Sequence, residues 1–318
     1  MSVNNAAEVF TGKKFVFLGA TLCCLLWGSA YPAIKSGYEI FQIAGDDIPS
    51  KIIFAGYRFM LAGLFLLVFA ALTGKPLFNF QCRQYGQMAL LGLLQTTLQY
   101  TFFYIGLAYT TGVKGSIMNA TGVFFSVLLA HFVYQNDRTN ANKLIGCLIG
   151  FIGVMVVNLN EDMMNFTFVW QGDGFVILAA FVLSATTLYG KHLSQSIDPG
   201  VMTGYQLFFG GVLLTLSGIL TGGSLSFHGG ASVAILGYLA VLSSVAFALW
   251  SLLLKYNRVS MVAPFNFLIP VSGVVLSAVF LNENIFEWKN VVALVLVCIG
   301  IGWVNKTRGV RVINTRQA

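Results

Sequence analysis

Arg58 stands inside an apolar run, seven residues beyond Lys51 and so about 10 Å along a helix that rises about 1.5 Å per residue. A charge held in hydrocarbon is costly and marks a functional position by default. Two readings of it are open. The guanidinium snorkels or ties helix ends together by bonding backbone carbonyls, or it faces an internal cavity and grips a carboxylate or other anion with its planar fork of donors. Lys35 raises the same question at the end of LCCLLWGSAYPAIKSG, residues 22–37. It snorkels to the interface, adds positive potential to an outer vestibule, or pairs with a carboxylate such as Glu283.

Uncharged groups extend the set. Gln95 and Gln99, like Tyr100 and Tyr104, are four residues apart and share a helical flank. Asn119 and Asn266 each bring an amide with both donors and acceptors. Trp27, Tyr31, Tyr205 and Trp250 are further substrate-binding candidates, as are Tyr189 and Gln206, although helix packing explains any one of them as well. Pro32 and Pro270 free backbone carbonyls and permit bending, so with Lys35 and Glu283 they are candidates for gating or vestibule roles.

The elements that must position these groups are membrane spans. Of 318 residues, 57% are hydrophobic and 9% charged, with a mean hydropathy of +0.79, against roughly 25% charged in soluble domains. Apolar runs fall at 15–35, 51–72, 86–109, 113–134, 143–158, 174–192, 201–220, 231–254, 260–281 and 288–305. Each is near the 20 residues or so that a crossing needs. The expected fold is an all-α integral membrane protein of ten transmembrane helices.

Lysines and arginines orient it. With the N-terminus inside, thirteen of the 18 fall on the cytoplasmic side, as the positive-inside rule requires. Residues 1–14 and 306–318 are then cytoplasmic tails. The net charge of +7 is spread between spans rather than gathered with aromatics on one face, which argues against nucleic acid as a partner. Lys114 reads as an outer-loop charge. Cys23, Cys24, Cys147 and Cys298 fall in apolar runs and read as small core residues, with no disulfide framework.

A 147-residue offset lays spans 3 to 5 on spans 8 to 10, pairing Leu107 with Leu254, Asn119 with Asn266 and Gly153 with Gly300. An offset of 148 pairs Tyr57 with Tyr205 and Gly63 with Gly211. The halves, 15–158 and 174–305, then hold five spans each, and an odd number inverts the second copy. Two inverted five-helix repeats point to alternating access, with a substrate site near the midplane between them.

On these residues the chain resembles the EamA-type transporters of the drug/metabolite transporter superfamily. Trp27-Gly28-Ser29 with Lys35, Arg58-Phe59, Pro270, Glu283 and the glycines Gly300 and Gly302 match motifs of that family. The positions paired with Pro270 and Glu283 are Val123 and Asn136, so the first repeat lacks that kink and carboxylate. The resemblance implies a multi-pass carrier of the bacterial inner membrane, often an exporter of amino acids, related metabolites or drugs.

No Asp or Glu falls near the middle of a span, which disfavours exchange of cationic drugs against protons. P-loop, zinc-peptidase and serine-hydrolase motifs are missing, so neither enzyme activity nor a metal or cofactor is expected. Gly146 and Gly150 fit close packing within a bundle better than a dimer, and a monomer or weak homodimer is expected. The expectation is a carrier for a small polar metabolite, most of all an amino acid or related carboxylate, working as exporter or facilitator in a lipid bilayer. An exporter of hydrophobic drugs and a non-transporting membrane partner or sensor are the alternatives.

Overall fold

The computed structural model describes residues 8–159, 167–280 and 288–306. Apolar runs become helices because hydrocarbon offers no partner for backbone N–H and C=O groups, which must bond within the segment. α1 is Lys13–Ile40, unbroken although Pro32 lies inside it, and α2 is Ile48–Leu72, capped by Asp47 accepting from the Ser50 amide at 3.0 Å. α3 covers 82–109 in three pieces, with a π-helical stretch Gly92–Leu98 between Cys82–Leu91 and Gln99–Tyr109. α4 covers 112–133 and is interrupted at Thr121, and α5 is Ala141–Val157.

α6 opens with a π turn, Trp170–Gly174, before Phe175–Leu193. α7 is Pro199–Leu220, its first amides bonded by Asp198, and α8 is Gly230–Tyr256. α9 covers 259–280 and passes through a 3-10 stretch, Ala263–Phe267, before its main part Leu268–Phe280; α10 is Trp288–Asn305. No strand occurs among the described residues.

Eight of these helices are long and apolar enough to cross a membrane. The other two differ for readable reasons. α5 is apolar but has only 17 residues, and α3 carries Gln84, Gln87, Gln95 and Gln99 with Thr96 and Thr97, which dilute its hydropathy. Large apolar side chains such as Phe69, Phe132 and Val241 point outward at 64%, 75% and 53% exposure, the surface a bilayer would cover.

Two glycine-lined seams hold the bundle. In the first, α2 packs on α7 so closely that a Cβ at Gly63 would lie 2.4 Å from the Phe208 nitrogen and 2.6 Å from the Gly204 oxygen. Its counterpart, a Cβ at Gly211, would lie 2.3 Å from the Met60 nitrogen and 2.9 Å from the Gly56 oxygen. Gly204 and Phe208 are Gly56 and Met60 displaced by 148, so the contact is reciprocal. The second seam joins α5 to α10, where Gly153 faces Ala293 and Val297 while Gly300 faces Gly146 and Gly150, again reciprocal at an offset of 147. Such close approach admits only hydrogen at these positions.

Two expectations need correction. Lys114 is no loop charge: it lies in the first turn of α4, 9% exposed, with Nζ donating to the Thr167 oxygen at 3.0 Å. Cys298 is exposed on the outer face of α10, whereas Cys23, Cys24 and Cys147 are buried.

Candidate functional site

Eight helices enclose a cavity of about 220 Å³, to which α5 and α10 contribute no lining residue. Arg58 enters it from α2, only 4% exposed. Its Nε donates to Ser243 Oγ at 2.7 Å, and Ser243 in turn donates to the Leu239 oxygen at 2.7 Å. That bond orients the guanidinium and leaves both Nη nitrogens without a hydrogen bond or an ion pair among the described residues. No Asp or Glu is found among the described lining residues. The phenols of Tyr100 and Tyr104 line the same cavity. Gly56 and Gly63 hold α2 closely against α7 on either side of Arg58.

The glutamines come from the irregular part of α3. The π-helical stretch widens the helix by one residue per turn, a distortion that recurs at functional sites. Here Gly92 meets the Gln206 oxygen and Thr97 Oγ1 donates to the Gly210 oxygen at 3.0 Å, so α7 braces it. Gln95, Gln99, Tyr100 and Tyr104 all line the cavity. Gln99 is 4% exposed, and its Oε1 has no hydrogen-bond partner.

Asn119 and Asn266 also line the cavity, the first just before a break in its helix and the second within one. α4 is interrupted at Thr121, whose hydroxyl donates to the Met118 oxygen at 2.5 Å, and the neighbouring Gly122 oxygen accepts from Ser184 at 2.8 Å. In α9 the 3-10 stretch that holds Asn266 follows from Pro264 and from Pro270, which has no N–H to offer the Asn266 carbonyl. Asn266 Oδ1 is buried without a partner. Unused polar capacity therefore borders the cavity, where backbone irregularity is tolerated in membrane proteins.

An aromatic wall completes the site. Trp27 lies edge-on to Trp250 at 5.2 Å and to Phe247 at 5.3 Å, while Phe59 packs on Tyr100 at 4.6 Å. Tyr31, 45% exposed, and Pro270 also belong to the lining.

The remaining candidates lie elsewhere. Tyr205 packs against Tyr85 at 5.5 Å and donates to the Leu77 oxygen at 2.8 Å, outside the lining. Tyr189 is likewise absent from the lining. Pro32 is buried in α1 without reaching the cavity, Lys35 is exposed, and Glu283 lies outside the described residues.

Among the lining residues that sequence reasoning missed, Lys191 carries a charge. It reads as one more orienting charge at a span end, and nothing in its local sequence says otherwise. Its Nζ donates to the Leu254 and Asn257 oxygens, both at 2.5 Å, joining α6 to the end of α8 at the floor of the cavity.

A polar, arginine-bearing cavity among apolar helices of membrane-spanning length is an arrangement that membrane transporters use. Comparison with known proteins gives the family. The EamA-like transporter family is matched over residues 14–159 and again over 170–306. An Escherichia coli K12 protein named a probable amino-acid metabolite efflux pump is 27% identical over 84% of this chain and 87% of its own. The chloroplast WAT1-related protein of Arabidopsis thaliana is 25% identical over 96% of this chain and 74% of its own. One solved crystal structure shares the fold with a TM-score of 0.75 at 15% identity, covering 92% of this chain and 96% of that one. The chain belongs to the EamA-like transporter family of the drug/metabolite transporter superfamily. That is a family of transporters rather than of enzymes.

Proposed function

We propose that this chain is an alternating-access carrier of ten crossings, built as two inverted five-helix repeats, that moves an amino acid or related carboxylate-bearing solute as exporter or facilitator. The observation that carries the reading is Arg58, buried in the lining with both Nη nitrogens unused and no acid in the lining among the described residues. A cation so placed is stabilised when the occupant brings a carboxylate. Gln95, Gln99, Asn119 and Asn266 hold the polar remainder, and Trp27, Tyr31, Tyr100 and Trp250 hold its apolar part. The reciprocal seams support the repeat arrangement, because a twofold relation makes each contact occur twice. The name of the Escherichia coli relative agrees with the substrate class.

The aromatic wall favours a second reading, export of hydrophobic drugs. Counterflow of labelled amino acids and of a neutral aromatic drug in proteoliposomes, with and without a pH gradient, separates the two. Saturable amino-acid flux supports the first. Drug flux with no flux for any carboxylate replaces it with the second.

A further inference from the structure

Beneath the cavity floor lies a buried ionic cluster that substrate recognition does not use. Asp137, in the connector between α4 and α5, is 1% exposed and pairs with Lys143 of α5 at 2.8 Å, itself 4% exposed. Both Asp137 oxygens also reach across to the start of α9. Oδ2 accepts from the Ser260 amide at 3.0 Å, and Oδ1 accepts from the Ser260 hydroxyl. Lys143 is held further by the Arg138 oxygen at 2.8 Å. Ser260 follows Val259, a lining residue, and the Lys191 bonds to the end of α8 lie alongside.

The cluster thus joins the two halves at the Lys191 end of the cavity. The same 147-residue offset that relates Asn119 to Asn266 carries Asp137, Lys143 and Ser260 to Asn284, Asn290 and Val113, which have neither carboxylate, amine nor hydroxyl. A buried ion pair adds little net stability, but separating its partners is strongly unfavourable. Such a bond is well suited to set which of two conformations prevails.

We propose that Asp137 and Ser260 form a latch that keeps the Lys191 end of the cavity shut, so that this end opens only when the bond between the α4–α5 connector and α9 is released. The proposal does not depend on what the cavity carries.

Thr187, which lines the cavity one turn before Lys191, provides a reporter. With Cys82→Ser and Cys298→Ser removing the exposed thiols, a Thr187→Cys protein would be labelled with a charged, membrane-impermeant maleimide in vesicles of each orientation. The parent should react from one side. Ser260→Ala, which spares the ion pair, and Asp137→Asn should each raise labelling from the Lys191 side at least fivefold. Ser260→Ala keeps the test decisive if Asp137→Asn does not fold. Unchanged or slower labelling from that side in the folded variants would overturn the latch. A lower melting temperature without a change in sidedness would make the cluster a mere brace, and overturns it equally.

Discussion

Replacing Arg58 by leucine separates recognition from stability. In the native protein the guanidinium is 4% exposed and, among the described residues, makes a single hydrogen bond, to Ser243. A solute carboxylate taking both Nη nitrogens would gain two charge-assisted bonds, each worth about 1.5–3 kcal/mol. Their loss at the lower bound, about 3 kcal/mol, weakens binding about 100-fold. Arg58→Lys keeps the charge but loses the fork, and about tenfold is expected. Fold stability should move the other way. Leucine removes an unpaired buried cation, and Ser243 still donates to the Leu239 oxygen at 2.7 Å, so the melting temperature in detergent should hold or rise. The assay is binding of a labelled amino acid to purified protein by scintillation proximity, with thermal melts on the same samples. Arg58→Leu binding the carboxylate within threefold of the parent would refute the reasoning, because the arginine would then touch no anion.

Three further outcomes follow from the same structure. Gly63→Ala and Gly211→Ala force a Cβ to within 2.4 and 2.3 Å of backbone nitrogens and should destabilise by about 1–3 kcal/mol; Gly237→Ala, with nothing within 4 Å, should be neutral or gain up to about 1 kcal/mol, all read by melting in detergent. Asp173, fully buried, accepts from the Thr110 hydroxyl at 2.5 Å and the Val169 amide at 2.9 Å, so Asp173→Ala should lose about 1–3 kcal/mol by leaving the donors unmatched, measured the same way. An empty carrier must occlude Arg58 unpaired, whereas a loaded one does not, so amino-acid homoexchange in proteoliposomes should exceed net efflux at least tenfold; equal rates would contradict it.

Helix positions were legible because hydrocarbon imposes one rule on every span, and apolar runs bounded by charges report it directly. Arg58 and the Gln95–Tyr104 flank drew attention for the complementary reason: polar groups in such runs have few reasons to be there. The π-helical stretch of α3, the break at Thr121 and the π turn of α6 were not legible, since each shifts hydrogen bonds by one residue without changing composition. Tyr205 misled because a phenol is satisfied by any nearby carbonyl, here Leu77 rather than the cavity. Asp137 and Lys191 were hidden by position. Charges at span ends are normally solvated, and only tertiary packing reveals that these two are covered.

The two seams bear on how the chain could be made. Each joins a helix of the first half to its offset counterpart in the second, backbone against backbone, and neither relies on the connector between α5 and α6. A gene cut within that connector would give two polypeptides of nearly equal length. Co-expressed, they retain every contact of both seams, so split-protein complementation should rebuild the carrier. That gives a route to labelling one half with an isotope or a spectroscopic probe while leaving the other silent.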